Sequence, residues 1–103
     1  MPEWSGKRWL HSHEEDHGDV RVYRPADFPF PRSRGRHGFE LRDDGTAVEH
    51  YSGPDDRPRT RTGRWRAETP DRVRLSFPGE RPRETTLEIL ESSPDRLLVI
   101  PRG

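Results

Sequence analysis

The sequence predicts an all-β domain, a single antiparallel up-and-down β-barrel of about eight short strands with little helix. Three observations lead there. Apolar residues alternate with polar ones at period two in short runs, and no stretch keeps a 3.6-residue period. Turn chemistry separates the runs at Asp43-Asp44-Gly45, Thr69-Pro70-Asp71, Pro78-Gly79 and Ser93-Pro94-Asp95. Eight strands laid flat would also leave two exposed edges and one uncovered apolar face, and closure removes both faults.

Taken in order, the first strand is expected over 8–13, with Trp9, His11 and His13 on one face. The second is expected over 19–24, where Val20 and Val22 alternate with Arg21 and Tyr23. A Pro-rich stretch, Pro25–Arg36, cannot be a central strand, because its prolines lack the ladder donor. The third strand (38–42) places Phe39 and Leu41 together, and the Asp-Gly turn leads into a fourth at 46–52. After the turn at 53–58, a fifth strand over 61–68 sets Gly63, Trp65 and Ala67 on one face. Val73, Leu75 and Phe77 then alternate with Arg72, Arg74 and Ser76 in the clearest half-buried strand. The seventh runs over 84–91 with Leu87 and Ile89 in phase, and the eighth over 96–100 is apolar on both faces.

Composition sets the limits of this reading. The chain has 103 residues, one domain's worth, and only 26% are hydrophobic while 37% are charged. That borders on disorder, but 19 acids cancel 19 bases, so the chain does not repel itself. No apolar run is long enough to span a membrane as a helix, and Met1-Pro2-Glu3-Trp4 does not begin a secretory signal. The absence of cysteine fits a cytoplasmic protein. Arginine outnumbers lysine 18 to 1, which a GC-rich coding sequence explains. Because the charges balance over the whole chain, neither a nucleic acid nor a membrane is expected as a partner.

From Phe39 onward the segments Phe39–Thr46, Thr62–Trp65, Val73–Leu75 and Leu97–Ile100 resemble small bacterial lipocalin-like domains. Upstream, Trp9–Asp16, Tyr23–Pro25 and Ser33–Arg36 resemble an uncharacterised single-domain subgroup of that kind. The resemblance implies one barrel over residues 1–103. It departs from secreted lipocalins in that Gly63-x-Trp65 falls on the fifth strand rather than the first, and no long helix follows the barrel.

Three constellations could carry chemistry. His11 and His13 share a face if the first strand is regular, and His17, Glu15 or Asp16 could complete a divalent metal shell. Without a metal, the same two histidines would line a cavity with Tyr23 or Arg24 and act as hydrogen-bond partners or as a general base. The Pro25–Arg36 segment forms either a lid over the barrel mouth, offering Arg32, Arg34 and Arg36 to an anionic ligand, or a structural flap whose arginines pair with Glu14, Glu15 and Asp16. Gly63-x-Trp65 reads as core, with the glycine allowing close backbone approach.

The function expected first is binding of a small hydrophobic or amphipathic ligand inside the barrel. Trp9, Phe39, Trp65 and Phe77 would form the walls, with His11, His13, Arg24 and Arg36 as polar contacts. No cofactor is expected on this reading. The alternatives are a metal- or histidine-dependent enzyme using His11 and His13, and a solid-core interaction protein whose charged exterior docks onto a partner chain, with an apolar patch at Leu98 and Ile100 or their neighbours on the last strand as a candidate homodimer contact.

Overall fold

The computed structural model describes residues 4–32, 36–53, 55 and 57–102. Eight strands close into a barrel: β1 (Arg8–His11), β2 (Arg21–Pro25), β3 (Gly38–Leu41), β4 (Thr46–Ser52), β5 (Pro58–Thr69), β6 (Arg72–Phe77), β7 (Arg83–Ser93) and β8 (Arg96–Arg102). Among the described residues the helical content is one 3-10 turn, His13–Glu15. The strands expected from sequence are all present. β5 and β7 run longer than period-two reading suggested, because their ends carry exposed polar residues that pair without burying anything.

Around the ring the order is β1-β2-β8-β7-β6-β5-β4-β3, and every pair is antiparallel. β3 to β8 form the expected meander. The β1–β2 hairpin is inserted with β2 against β8 and β1 against β3, so β2 and β3 run in the same direction on either side of β1. Their connection, residues 26–37, must therefore travel back along β1 instead of turning tightly. Parallel strands need about a dozen residues for such a return. Both ends of the connection are tied to β1: the Ala26 N–H donates to the Arg8 carbonyl at 3.1 Å, and the His11 N–H donates to the His37 carbonyl at 2.7 Å. This explains the length of the Pro-rich stretch.

Alternation fixes which side chains face inward. Trp9 is fully buried, and Phe39, Leu41, Ala47, Val73, Leu75, Phe77, Leu87, Leu97 and Val99 join it in one cluster. The end of the barrel that carries the turns at 42–45, 70–71 and 94–95 forms a base closed by tryptophan. Trp4, only 3% exposed, packs edge-on against Trp65 with ring centroids 5.1 Å apart. The indole of Trp9 donates to the Trp4 carbonyl (2.9 Å), and that of Trp65 donates to the Arg42 carbonyl (2.7 Å). Each indole thus buries its ring while satisfying its N–H. Gly63 makes the β5–β6 approach possible, since a Cβ there would run into the Ser76 carbonyl and lie 2.8 Å from the Phe77 ring.

β1 ends at His11, two residues earlier than expected. The Glu15 N–H donates to the Ser12 carbonyl (3.0 Å), and the Ser12 hydroxyl donates to the Glu15 carboxylate (2.7 Å). Ser12 still donates its own N–H to the Val22 carbonyl of β2 (2.8 Å), and these bonds curl the chain into the 3-10 turn directly after it.

Candidate ligand pocket at the barrel mouth

The opposite end, the mouth, is where the interior stops being solid. A cavity of about 130 Å³ opens there, lined by Tyr23, Phe39, Leu75 and Leu87 inside, by Thr85 and Pro101 near the rim, and by Glu49, Arg83, His37 and Gly38. Most of these side chains continue the inward rows of the core by one or two steps of alternation: Ala47 leads to Glu49, and Leu87 leads back to Thr85 and Arg83. The interior is thus apolar from the base upward and turns polar in its last rows.

Two of those polar groups face each other across the opening. One guanidinium nitrogen of Arg83, Nη1, donates to both oxygens of Glu49, at 2.7 and 2.8 Å. The Glu49 side chain is 17% exposed, so the pair is largely withdrawn from water at its acidic end. The Arg83 guanidinium also lies over the Phe77 ring, 5.9 Å from its centroid. Because a single nitrogen holds Glu49, the remaining N–H donors of Arg83 are not used by that carboxylate.

Tyr23 forms the adjoining wall. Its ring sits between Phe39, at 4.7 Å between centroids, and His11, at 5.2 Å. Burial pushes its phenol up to about 12, and the carboxylates of Asp16 and Glu49 add to this against Arg21 and Arg83. The hydroxyl therefore keeps its proton at any physiological pH and can donate a hydrogen bond.

Behind Tyr23, His11 Nε2 is 2.7 Å from Asp16 Oδ2. Asp16 is itself held by the Val22 N–H at 2.9 Å and by Arg21 at 3.3 Å. A carboxylate accepts only, so Nε2 carries the proton in this contact and Nδ1 lies outside it.

The remaining predicted residues lie elsewhere. Trp9 is inward, as expected, but sits in the packed core below the cavity, and Phe77 is buried beneath Arg83. Trp65 belongs to the base. His13, placed beside His11 by strand alternation, is on the 3-10 turn, its ring 6.1 Å from that of His11. His17 is exposed, 3.4 Å from the Glu15 carbonyl. Among the described residues no group of three or more histidine, aspartate or glutamate side chains is placed to hold a metal ion. The structure thus adds no support for a metal on His11, His13 and His17.

Arg24 and Arg36 serve the crossover on the outer side of the barrel wall. Arg24 is paired in register with Leu10, on the face opposite Trp9. Its Nε and Nη2 grip Glu15 at 2.9 and 2.7 Å, and its guanidinium covers the Phe28 ring at 4.7 Å. Arg36 reaches Glu14 at 2.8 Å and the His11 and Pro31 carbonyls at 3.0 and 2.8 Å, and lies over Phe30 at 4.5 Å. These hydrogen bonds hold both glutamates down to about 2. The flap reading of 25–36, with arginines paired to the 14–16 acids, matches what Arg36 does. Ser33, Arg34 and Gly35 lie outside the described residues.

Of the predicted contacts, then, Phe39 and Tyr23 line the cavity and His11 supports it from behind Tyr23. Glu49, Arg83, Thr85 and His37 were not singled out from sequence. The signal was available for the first three: each lies an even number of residues from a buried apolar neighbour on its own strand. No helix is long and apolar enough to cross a membrane. Compared with protein-family models, curated proteins and solved structures, the chain matches none.

Proposed function

We propose that the chain is a lipocalin-like binder of a small amphipathic molecule, held in the mouth cavity with its apolar part downward. The supporting observation is the asymmetry of the interior: the base is sealed by Trp4, Trp9 and Trp65, while the mouth keeps a cavity ringed by Tyr23, Glu49 and Arg83. A few converging polar groups over an apolar floor are the usual make-up of a ligand site. The volume limits the occupant. At about 130 Å³ the cavity is near the size that holds one six-membered ring. Phe39, Leu75 and Leu87 would contact such a ring, and its polar substituent would meet Tyr23, Glu49 or the spare donors of Arg83. A second reading, histidine-dependent catalysis, draws on the ordered Asp16–His11 pair, with Nδ1 of His11 as the working nitrogen.

Titrating the protein with benzyl alcohol in two-dimensional amide NMR tests the binding reading. Saturable shifts are expected at Tyr23, Phe39, Glu49 and Leu87, with Kd at about 1 mM or tighter for so small a probe. Thr85→Phe, at the half-buried rim, should fill the site and abolish the shifts while the fold is kept. Shifts scattered over the outer surface, or none at all, would remove the proposal.

A further inference from the structure

We propose that the outer face of β5 and β6 binds the sugar-phosphate backbone of single-stranded nucleic acid through Arg64, Arg66 and Arg74. The chain is neutral as a whole, but its charges are segregated. Residues 57–66 contain five arginines and no acid, of which Arg57 and Arg59 pair with Asp55 just before them. Alternation puts Arg64 and Arg66 outward, since Trp65 between them packs on the core, and Arg74 is outward between the buried Val73 and Leu75.

The β5–β6 register then sets Arg66 directly opposite Arg74. Like charges in that position oppose strand pairing, and the chain keeps them although it carries 19 acids. Among the described residues Arg64 and Arg66 make no ion pair, and Arg74 reaches Glu84 at 3.1 Å. Arg64 also feels the charge of Asp44 at the neighbouring turn, so three guanidiniums face one ion-paired carboxylate and one more distant one. The guanidiniums border a shallow groove of about 310 Å³ that also includes Ser76, Trp65 and Glu84, the carboxylate held by Arg74. Arg72, the next outward arginine on β6, is opposite Glu88 and is not counted.

Arginine forks with a neighbouring hydroxyl are what phosphate oxygens are bound by. Arg64 and Arg66 are rooted two residues apart, about 7 Å along the strand, and a flexible single strand can adjust its phosphates to that spacing. Around the closed ring every strand is flanked by two others, so an extended acidic peptide finds no full-length edge to which it could add by main-chain bonds. Among the described residues the face also carries no helix to enter a duplex groove. Binding through such a surface does not read sequence.

The test is fluorescence anisotropy of a labelled twelve-nucleotide oligo-dT with the full chain, as a function of salt. Three neutralised phosphates on a single strand give a log–log slope of about −2, so affinity should fall roughly 18-fold between 50 and 200 mM salt. Arg66→Gln should reduce that fall to about 7-fold and weaken binding at low salt. Arg8→Gln, across the ring on β1, should change neither. Arg66→Gln should also melt no lower than the parent, because it removes a like-charge pair. Absence of binding at 50 mM salt, a slope unchanged by Arg66→Gln, or a lowered melting temperature in that variant would overturn the proposal. So would equal binding of a twelve-residue polyglutamate peptide, which would assign the groove to an acidic protein. Neither outcome bears on the mouth cavity, which lies inside the barrel.

Discussion

Replacing Gly63 with alanine probes the packing on which the mouth cavity rests. The added Cβ would overlap the Ser76 carbonyl of the paired strand and stand 2.8 Å from Cδ1 and 3.0 Å from Cα of Phe77. Two of those three atoms are backbone, so no side-chain rotation relieves the clash, and β5 and β6 must separate locally. Overpacking a tight site costs about 1–3 kcal/mol, and the backbone contact places this case at about 3. For a domain near 100 residues, 1 kcal/mol moves Tm by about 4–8 °C, so a fall of at least about 12 °C is expected. Gly18→Ala is the reference. Gly18 has φ of +57° and nothing within 4 Å of a Cβ, so only backbone strain of about 1–2 kcal/mol applies. Thermal unfolding followed by circular dichroism measures both. A Gly63→Ala protein no less stable than Gly18→Ala would mean that close strand approach at Gly63 does not govern this part of the barrel.

Two further consequences can be checked directly. Glu14 and Glu15 are held at about 2 against an ordinary 4.5, first by hydrogen bonds from Arg36 and Arg24. Their stabilisation is present above pH 4.5 and is lost as pH falls toward 2. Urea unfolding of Glu14→Gln/Glu15→Gln should therefore show a deficit at pH 7 that shrinks across that window, and a deficit that persists at pH 2 would refute the pairing. Trp4→Ala removes the plug at the base, for which a cost of about 3–5 kcal/mol is expected. Acrylamide should then quench Trp65 more readily, and unchanged quenching would show that Trp4 does not shield it.

The fold was legible because a barrel repeats one simple rule. Alternation at Val73, Leu75 and Phe77, and at Leu97 and Val99, puts each of these side chains in the core. The β1–β2 insertion was not legible, because period-two patterning says which face is inward but not which strand is adjacent. The length of the Pro-rich stretch was a trace of it, since a tight turn between neighbouring strands would not need so many residues. His13 was misplaced for a local reason: Ser12-x-x-Glu15 is a turn-forming pattern that ended the strand, and alternation cannot be carried past a turn. The cavity residues were overlooked because charged side chains are ordinarily assigned to the outside. For Glu49 and Arg83 the distance from Ala47 and Leu87 was the better guide.

The same distinction between total and local charge bears on both sites. A net charge of zero suggests that arginines and acids pair wherever they meet, and around the crossover they do, through Arg24–Glu15 and Arg36–Glu14. At the mouth the pairing is of another kind. Glu49 is drawn largely out of water while half of the Arg83 side chain stays in it, so the pair sets a polar rim on the apolar interior and adds little net stability. On β5, among the described residues, Arg64 and Arg66 make no ion pair, although Arg64 feels the charge of Asp44. A chain with 26% hydrophobic residues has little stability to spare. Polar groups that interrupt its apolar interior at the mouth, and like charges that oppose its strand pairing on the wall, are best accounted for by what they bind. That is why the two faces should respond oppositely to substitution: Arg66→Gln should stabilise the barrel while weakening oligonucleotide binding, whereas Thr85→Phe should spare oligonucleotide binding and close the cavity.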